Sequence, residues 1–502
     1  MPASKLATGV AVATWLMACG DQTAPSGVDA PPGMPPDAAV SILQTRTVLP
    51  PSATCEFGAA RVDQGADLSH DGVLDASEVT SSTTACLTEP EPSLIKTSGL
   101  SAPPMNQTCV PPTGASQSSG VTTTAVFTNV QFPANSDCLP GINTTSCRGA
   151  FRPVVLRQQP ITRRFYVAEQ PGRIIAIEGT TATLALDLRN KVVFGYEPGL
   201  LNLDFDPANG GIAYVSYVTC GSQSNGIIAN AFANCIDGFG GAAFLAVSRF
   251  TVRADGSLDE ASEQLIIEQS KPTGEHNGGG AQFGPDGNLF VAIGDGGEYP
   301  SDAAQDPSTL RGKIIRITVN SSPGVPRPTT GPIYGIPSDN PFRTAPGIRP
   351  EIYAMGFRNP WRYSFDPLTT TLPRLWVGDV GLISAEEVNY VQAGKNYGWP
   401  IIEGPFCHHR GADVGNFSVS TDTTCLSDPR YTAPVHFYRQ AHGVAITGGM
   451  VYRGTAIPRL RGSYLFADFS LGHIWSLTGV DNTVGFIQAS GMLLSSFGED
   501  LD

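Results

Sequence analysis

From Val121 to the C-terminus the chain runs as short apolar stretches, each closed by a turn of Gly, Pro or Asp. Phe165 to Ala168, Arg173 to Ile177, Leu201 to Phe205, Ala213 to Tyr217 and Phe244 to Phe250 come first. Leu289 to Ile293, Lys313 to Ile317, Trp361 to Phe365, Leu375 to Val377, Met450 to Tyr452, Tyr464 to Ala467 and Ile474 to Leu477 follow. All are of strand length, and no stretch carries the period of a long helix. A Phe-Asp-Pro or Phe-Gly-Pro-Asp turn recurs at Phe205, Phe283 and Phe365. Repeated turn-then-strand units predict an all-β repeat fold, and a propeller accommodates this many strands without long open edges. Periodicity alone does not count the blades.

Upstream the pattern is different. Lys5 precedes an apolar run, Leu6 to Ala18, and Leu16-Met-Ala-Cys19 has the form of a bacterial lipobox. The run is shorter than the roughly 20 residues that cross a bilayer. Residues 1–18 are therefore expected to be a lipoprotein signal peptide, with Cys19 the lipidated anchor to a membrane. The competing reading is an ordinary secretory signal; either one places the protein in the cell envelope or at the cell surface. Residues 19–51, rich in Pro, Ala, Gly and Asp, are expected to be a disordered tether.

A small unit over 52–90 is bounded by Cys55 and Cys86. Inside it, Asp67, Ser69, Asp71, Asp75 and Glu78 occupy the first, third, fifth, ninth and twelfth places of a loop with Gly72 at the sixth. That is the EF-hand spacing for Ca²⁺, with the Val73 carbonyl as a further ligand and Glu78 binding through both oxygens. No helical pattern precedes it, so the unit is EF-hand-like rather than a paired sensor. The competing reading is a polar turn. Residues 91–120 form a second linker, and 121–502 the propeller.

Composition narrows the partners. The 502 residues contain 31 Lys and Arg against 45 Asp and Glu, a net charge of −14, which disfavours nucleic acid and anionic membrane surfaces. Setting Cys19 apart leaves nine of the 10 cysteines in an oxidising compartment. Proximity suggests Cys55–Cys86, Cys138–Cys147, Cys220–Cys235 and Cys407–Cys425, with Cys109 left over; the connectivity stays open.

The chemistry concentrates between Gly274 and Ile317. His276 and Asn277 precede three glycines, and Leu289 to Ile293 empties into Gly294-Asp295-Gly-Gly297. If the two strands pair as a hairpin, His276 and Asp295 emerge at the same end, an arrangement suited to general-base catalysis.

His276-Asn-Gly-Gly-Gly-Ala-Gln-Phe-Gly-Pro-Asp-Gly-Asn-Leu-Phe-Val-Ala-Ile-Gly-Asp-Gly-Gly297 and Thr309 to Ile317 resemble the signature of the glucose/sorbosone dehydrogenase family. Tyr196 to Pro207, Pro350 to Phe365, Gly378 to Gly381, Glu386 to Asn389, Lys395 to Pro400 and His442 to Tyr452 follow in family order. The resemblance covers roughly 120–500. It implies a six-bladed propeller with four-stranded antiparallel blades, a sugar substrate and pyrroloquinoline quinone as hydride acceptor, with Ca²⁺ polarising its carbonyl. It implies His276 as the base at the anomeric hydroxyl, steadied by Asp295. Glu197, Arg358 and Asn359 match cofactor-binding positions, and Glu387 with the carbonyl of Tyr397 matches a structural calcium site. For Glu387 the competing reading is an ion pair with Arg362 or Lys395. Trp361, Trp376 and Trp399 are read as packing between blades.

The chain also departs from the family pattern. Arg358-Asn-Pro-Trp-Arg362 stands where the quinone enzymes have RNPQG, and Phe469 where a quinone-binding Lys is expected. Leu494 to Asp500 lacks an expected Arg pair. Each lost charge-assisted contact removes about 1.5–3 kcal/mol. Arg173, Arg362 and His442 are the candidates to compensate. The last blade is expected to be incomplete, or closed by the strand around Val126 to Phe132. Two functions are open: a sugar dehydrogenase of the cell envelope, or a non-catalytic calcium-stabilised propeller binding a carbohydrate or protein, as the family's Hedgehog-interacting relative does.

Overall fold

The computed structural model describes residues 41–49, 59–67, 79–86, parts of 127–132, and 152–499 apart from short segments, the longest within 220–242, 320–332, 367–373 and 410–417. The lipidation site Cys19, the calcium-loop residues Ser69, Asp71, Val73, Asp75 and Glu78, and Cys109 lie outside the described residues.

Ser41–Leu49, Ala59–Asp67 and Val79–Cys86 form a separate three-stranded antiparallel sheet. The first strand lies inside the stretch expected to be a tether. Its Ile, Val and Thr content suits a strand once a partner is present, and Ala59–Asp67 supplies one. Asp67 ends the second strand and Val79 opens the third, with Gly65 opposite Val79. The candidate calcium loop therefore joins two strands of a hairpin and is not flanked by helices.

The rest is a propeller of consecutive antiparallel meanders. Pro153–Gln158, Phe165–Glu169, Arg173–Glu178 and Thr181–Asp187 make blade 1. Leu200–Phe205, Ile212–Thr219, Ala243–Val252 and Leu258–Lys271 make blade 2. Gly280–Phe283, Leu289–Ile293, Lys313–Val319 and Ile352–Met355 make blade 3, with Tyr334–Gly335 added at its edge. Pro360–Phe365, Leu375–Asp379, Glu386–Val391 and His436–Tyr438 make blade 4. Ile446–Val451, Tyr464–Asp468, His473–Thr478 and Thr483–Ala489 make blade 5.

Among the described residues there are thus five blades, not the six that resemblance implied, because strand pairing gathers every predicted run into these five sheets. The last is a complete four-stranded sheet built from the C-terminal part of the chain. Phe127, Val130 and Phe132 do not close it; they pack on Val167 and Ile177 of blade 1.

Middle strands are sandwiched between neighbouring blades, so both their faces are apolar. Ile212–Thr219 and Leu289–Ile293 are buried at every position. Such strands read as continuous apolar runs rather than alternating ones. Outer strands have a wet face, and Thr181–Asp187 exposes several positions.

The ring is joined at its axis by Arg362, on the first strand of blade 4. Its guanidinium donates to the carbonyls of Val154 at 2.8 Å, Leu201 at 2.9 Å, Gly279 at 3.4 Å and Ser495 at 3.4 Å. These acceptors belong to blade 1, blade 2, the approach to blade 3 and the C-terminal segment. Ser495 also donates to the Pro153 carbonyl at 2.7 Å, and Gly498 lies against Leu156. Within blade 4, Ile402–Glu403, Phe406–His409 and Ser418–Val419 form an inserted sheet, tied by the expected Cys407–Cys425 disulfide.

Candidate functional site

In a meander, the residue before strand one and the residue after strand two emerge at the same end. Glu197 precedes blade 2, His276 precedes blade 3, and Arg358 and Asn359 precede blade 4, while Asp295 follows the second strand of blade 3. All five therefore gather at one mouth of the ring. The expected hairpin forms in the register Gly280↔Ala292 through Phe283↔Leu289.

Two glycines let the turns touch. A Cβ on Gly294 would lie 2.1 Å from the His276 carbonyl, and one on Gly278 would lie 2.5 Å from that of Ala292. His276 itself has φ of 49°, a left-handed conformation uncommon for a non-glycine residue. Its backbone N–H donates to Glu197 Oε2 at 2.7 Å, and the Gly278 N–H donates to Asn359 Oδ1 at 2.9 Å. Two residues matched to cofactor binding thus hold the turn that carries the imidazole.

His276 Nδ1 lies 2.6 Å from Asp295 Oδ1. With Nδ1–H donating to the carboxylate, Nε2 keeps a lone pair and can accept a proton. Asp295 is fully buried; its Oδ1 also accepts the Gly297 N–H at 2.9 Å, and its Oδ2 accepts the indole N–H of Trp399 at 2.7 Å. Burial pushes this carboxyl up, but His276 and the Arg358 guanidinium outweigh burial and hold it below the ordinary carboxylate value. Trp399 is therefore part of the site, not merely packing between blades. Trp376, which stacks on Tyr464 at 4.8 Å, does pack between blades 4 and 5.

Arg358 lies over the Trp399 ring, 5.6 Å from its centroid, and donates to the Val380 carbonyl at 2.9 Å. Its backbone N–H and that of Asn359 donate to Asp379, at 3.0 and 2.7 Å. Burial pushes the Asp379 carboxyl up to about 7. Sequence reasoning assigned Asp379 no role, yet its signal was repetition. Ile-Gly-Asp295 and Val-Gly-Asp379 end equivalent strands, and Asp468 ends the same strand of blade 5. In blades 4 and 5 this carboxylate accepts main-chain N–H groups of the turn before strand one, Asp468 taking those of Val444 and Ala445 at 2.8 and 3.0 Å. In blade 3 it takes an imidazole instead.

At the position expected to hold calcium, both side-chain oxygens of Glu387 accept hydrogen bonds. Glu387 Oε2 accepts from Asn389 at 3.0 Å and Oε1 from the Gly404 N–H at 2.5 Å, and burial pushes its carboxyl up to about 8. Among the described residues no three His, Cys, Asp or Glu side chains converge as metal ligands. Among the described residues Glu387 forms no ion pair with Arg362 or Lys395.

The quinone fits at one end only. Arg358 and Asn359 stand at the mouth, but Arg173 is taken up by a buried ion pair with Glu169 at 2.6 Å and Arg362 by the axial carbonyls. Phe469 is 37% exposed, an apolar side chain where a cation was expected.

The glucose / sorbosone dehydrogenase family profile matches residues 152–498. The chain belongs to this family. HIPL2 protein of Arabidopsis thaliana is 30% identical over 383 residues, covering 68% of this chain and 53% of that protein. The aldose sugar dehydrogenase YliI of Escherichia coli is 37% identical over 152 residues, covering 30% of this chain and 36% of that one. The chain thus spans between about a third and a half of these curated relatives. A crystal structure of a glucose dehydrogenase superposes with a TM-score of 0.51 at 23% identity, covering 68% of this chain and 88% of that one, which establishes the shared propeller fold.

Proposed function

We propose that this member of the glucose/sorbosone dehydrogenase family is an aldose dehydrogenase with His276 as its general base. The His276–Asp295 pair, fixed on its far side by Trp399, carries the reading. Nε2 accepts the proton of the anomeric hydroxyl as the C1 hydride leaves, and Asp295 stabilises the resulting imidazolium. Pyrroloquinoline quinone, when bound, supplies the two-electron acceptor. Arg358 would hold one of its carboxylates through the planar guanidinium, with Asn359 beside it. Burial of the pair limits the access of competing water. Export and anchoring through Cys19 belong to the same proposal and place the reaction in the cell envelope.

The test is a titration of the protein with pyrroloquinoline quinone in excess Ca²⁺, followed by aldose-dependent dye reduction. Saturable binding and sugar oxidation, both lost in Arg358→Ala and the oxidation lost in His276→Ala, are expected. A protein that binds no quinone at high micromolar concentration refutes the reading. Exposed Phe469 and the committed Arg173 and Arg362 favour the second reading in that event: a propeller that binds a carbohydrate or protein at this mouth without chemistry.

A further inference from the structure

Lys271 ends the outer strand of blade 2 and is 1% exposed. Its ammonium donates to Asn277 Oδ1, and Asn277 Nδ2 donates to the Gly274 carbonyl at 2.9 Å. Lysine, asparagine and the turn of residues 274–278 are therefore one unit, with His276 at its centre. The carboxylates facing the ammonium are Glu197, Asp295 and Glu275. On the blade 4 side stand Arg358, whose charge also acts on Asp295, and Asp379, which faces Arg358.

A second buried lysine shows what an ordinary structural role looks like here. Lys313 donates to the carbonyls of Ala303, Ala304 and Arg311, at 2.7, 3.1 and 2.7 Å. Lys271 instead donates to the base-bearing turn through Asn277, although the charges of both lysines act on Asp295. Burial draws its ammonium down to about 7, partly opposed by those carboxylates. Burying such a charge opposes folding.

We propose that Lys271 is a positioning residue of this site: through Asn277 it holds the turn that presents His276, and its ammonium, when protonated, offsets Glu197, Glu275 and Asp295 around the imidazole. The inference rests on His276 acting as a base. It concerns a residue outside the motif that identified the family.

The test follows the His276 imidazole by NMR across pH in the whole protein, its signal assigned by loss in His276→Gln. Neither cofactor nor sugar is needed. Lys271→Met and Lys271→Gln leave the three carboxylates unbalanced and raise the titration midpoint by about one pH unit. Lys271→Arg keeps the charge and restores the wild-type midpoint. An unchanged midpoint in folded Lys271→Met or Lys271→Gln overturns the proposal, and Lys271→Gln carries the test if the methionine variant does not fold. In sugar oxidation the same two variants lose kcat with KM within about twofold, and the acid limb of the pH profile moves up with the midpoint. A wild-type protein that oxidises no aldose removes the catalytic reading while the NMR shift still reports whether Lys271 governs His276.

Discussion

His276 and Asp295 meet at 2.6 Å although 19 residues separate them, and the second oxygen of Asp295 is held by Trp399, 104 residues further along. The carboxylate is clamped from two sides, so it sets both the tautomer and the direction of the ring. Asp295→Asn puts an NH2 donor against either His276 Nδ1 or the Trp399 indole N–H, so the tautomer is no longer fixed, and sugar oxidation is expected to fall by about 10²–10⁴-fold. Trp399→Phe removes one hydrogen bond worth about 1 kcal/mol and should cost roughly fivefold in kcat. Steady-state kinetics of the reconstituted protein, with binding of quinone measured separately, checks both.

Arg362 is a staple, not a substrate contact. Its guanidinium serves carbonyls of blades 1 and 2, the approach to blade 3 and the C-terminal segment, and burial draws it down to about 9. Arg362→Met leaves these carbonyls without a donor at the axis, at about 1–3 kcal/mol for each that stays dry. The denaturant midpoint should drop sharply, with no change in its slope if unfolding stays cooperative. Arg362→Lys should recover only part of the loss, because an ammonium cannot span acceptors fixed for a fork.

Gly279 tests the same ring sterically. A Cβ there would lie 1.9 Å from the Trp361 carbonyl, a backbone atom that cannot swing aside. Gly279→Ala is expected to destabilise by about 3 kcal/mol or more, or to prevent folding, since blades 3 and 4 must separate to admit the methyl. Thermal unfolding of the purified variant measures it.

His436 gives the fold an acid limit. Burial lowers its imidazole from 6.5 to about 4 in the folded protein. Between those values the unfolded chain takes up a proton that the folded one refuses. The contribution of His436 to stability is therefore complete above pH 6.5 and is lost as pH falls towards 4, by up to about 1.4 kcal/mol per unit, while the buried Asp379 and Glu387 carboxyls act with the opposite sign. His436→Leu should flatten this part of the stability-versus-pH curve, read by urea titrations at pH 4.5, 5.5 and 7.

The loop from Asp67 to Glu78 is expected to bind Ca²⁺ between the two strands that flank it. Calcium added to chelated protein should protect this N-terminal unit from proteolysis, with Asp71→Ala abolishing the protection. Equal cleavage with and without Ca²⁺ would leave the loop a polar turn.

Much of the fold was legible because local chemistry dictates it. Middle strands such as Leu289–Ile293 are apolar throughout, and Gly-Pro-Asp turns end them, so type and position could be read directly. Outer strands such as Leu258–Lys271 carry polar residues on a wet face, and the short first strand Gly280–Phe283 hides inside a glycine-rich turn. Those were missed. The His276–Asp295 pair was legible because a hairpin is local, and its register follows from one tight turn.

What the sequence by itself determined is the buried inner strands, the turns between them and the two-residue pair carried by one hairpin, since each depends on interactions within a few dozen residues. Only the tertiary structure decided that Trp399 completes that pair, that Glu197 and Asn359 hold its turn, that Arg362 closes the ring and that Lys271 lies beneath the base. It also decided that Glu387 accepts hydrogen bonds from Asn389 and the Gly404 N–H. These roles depend on which blades meet at the axis and on how much water remains there. A buried charge takes its meaning from neighbours brought together by the packing of the blades, and no spacing along the chain encodes them.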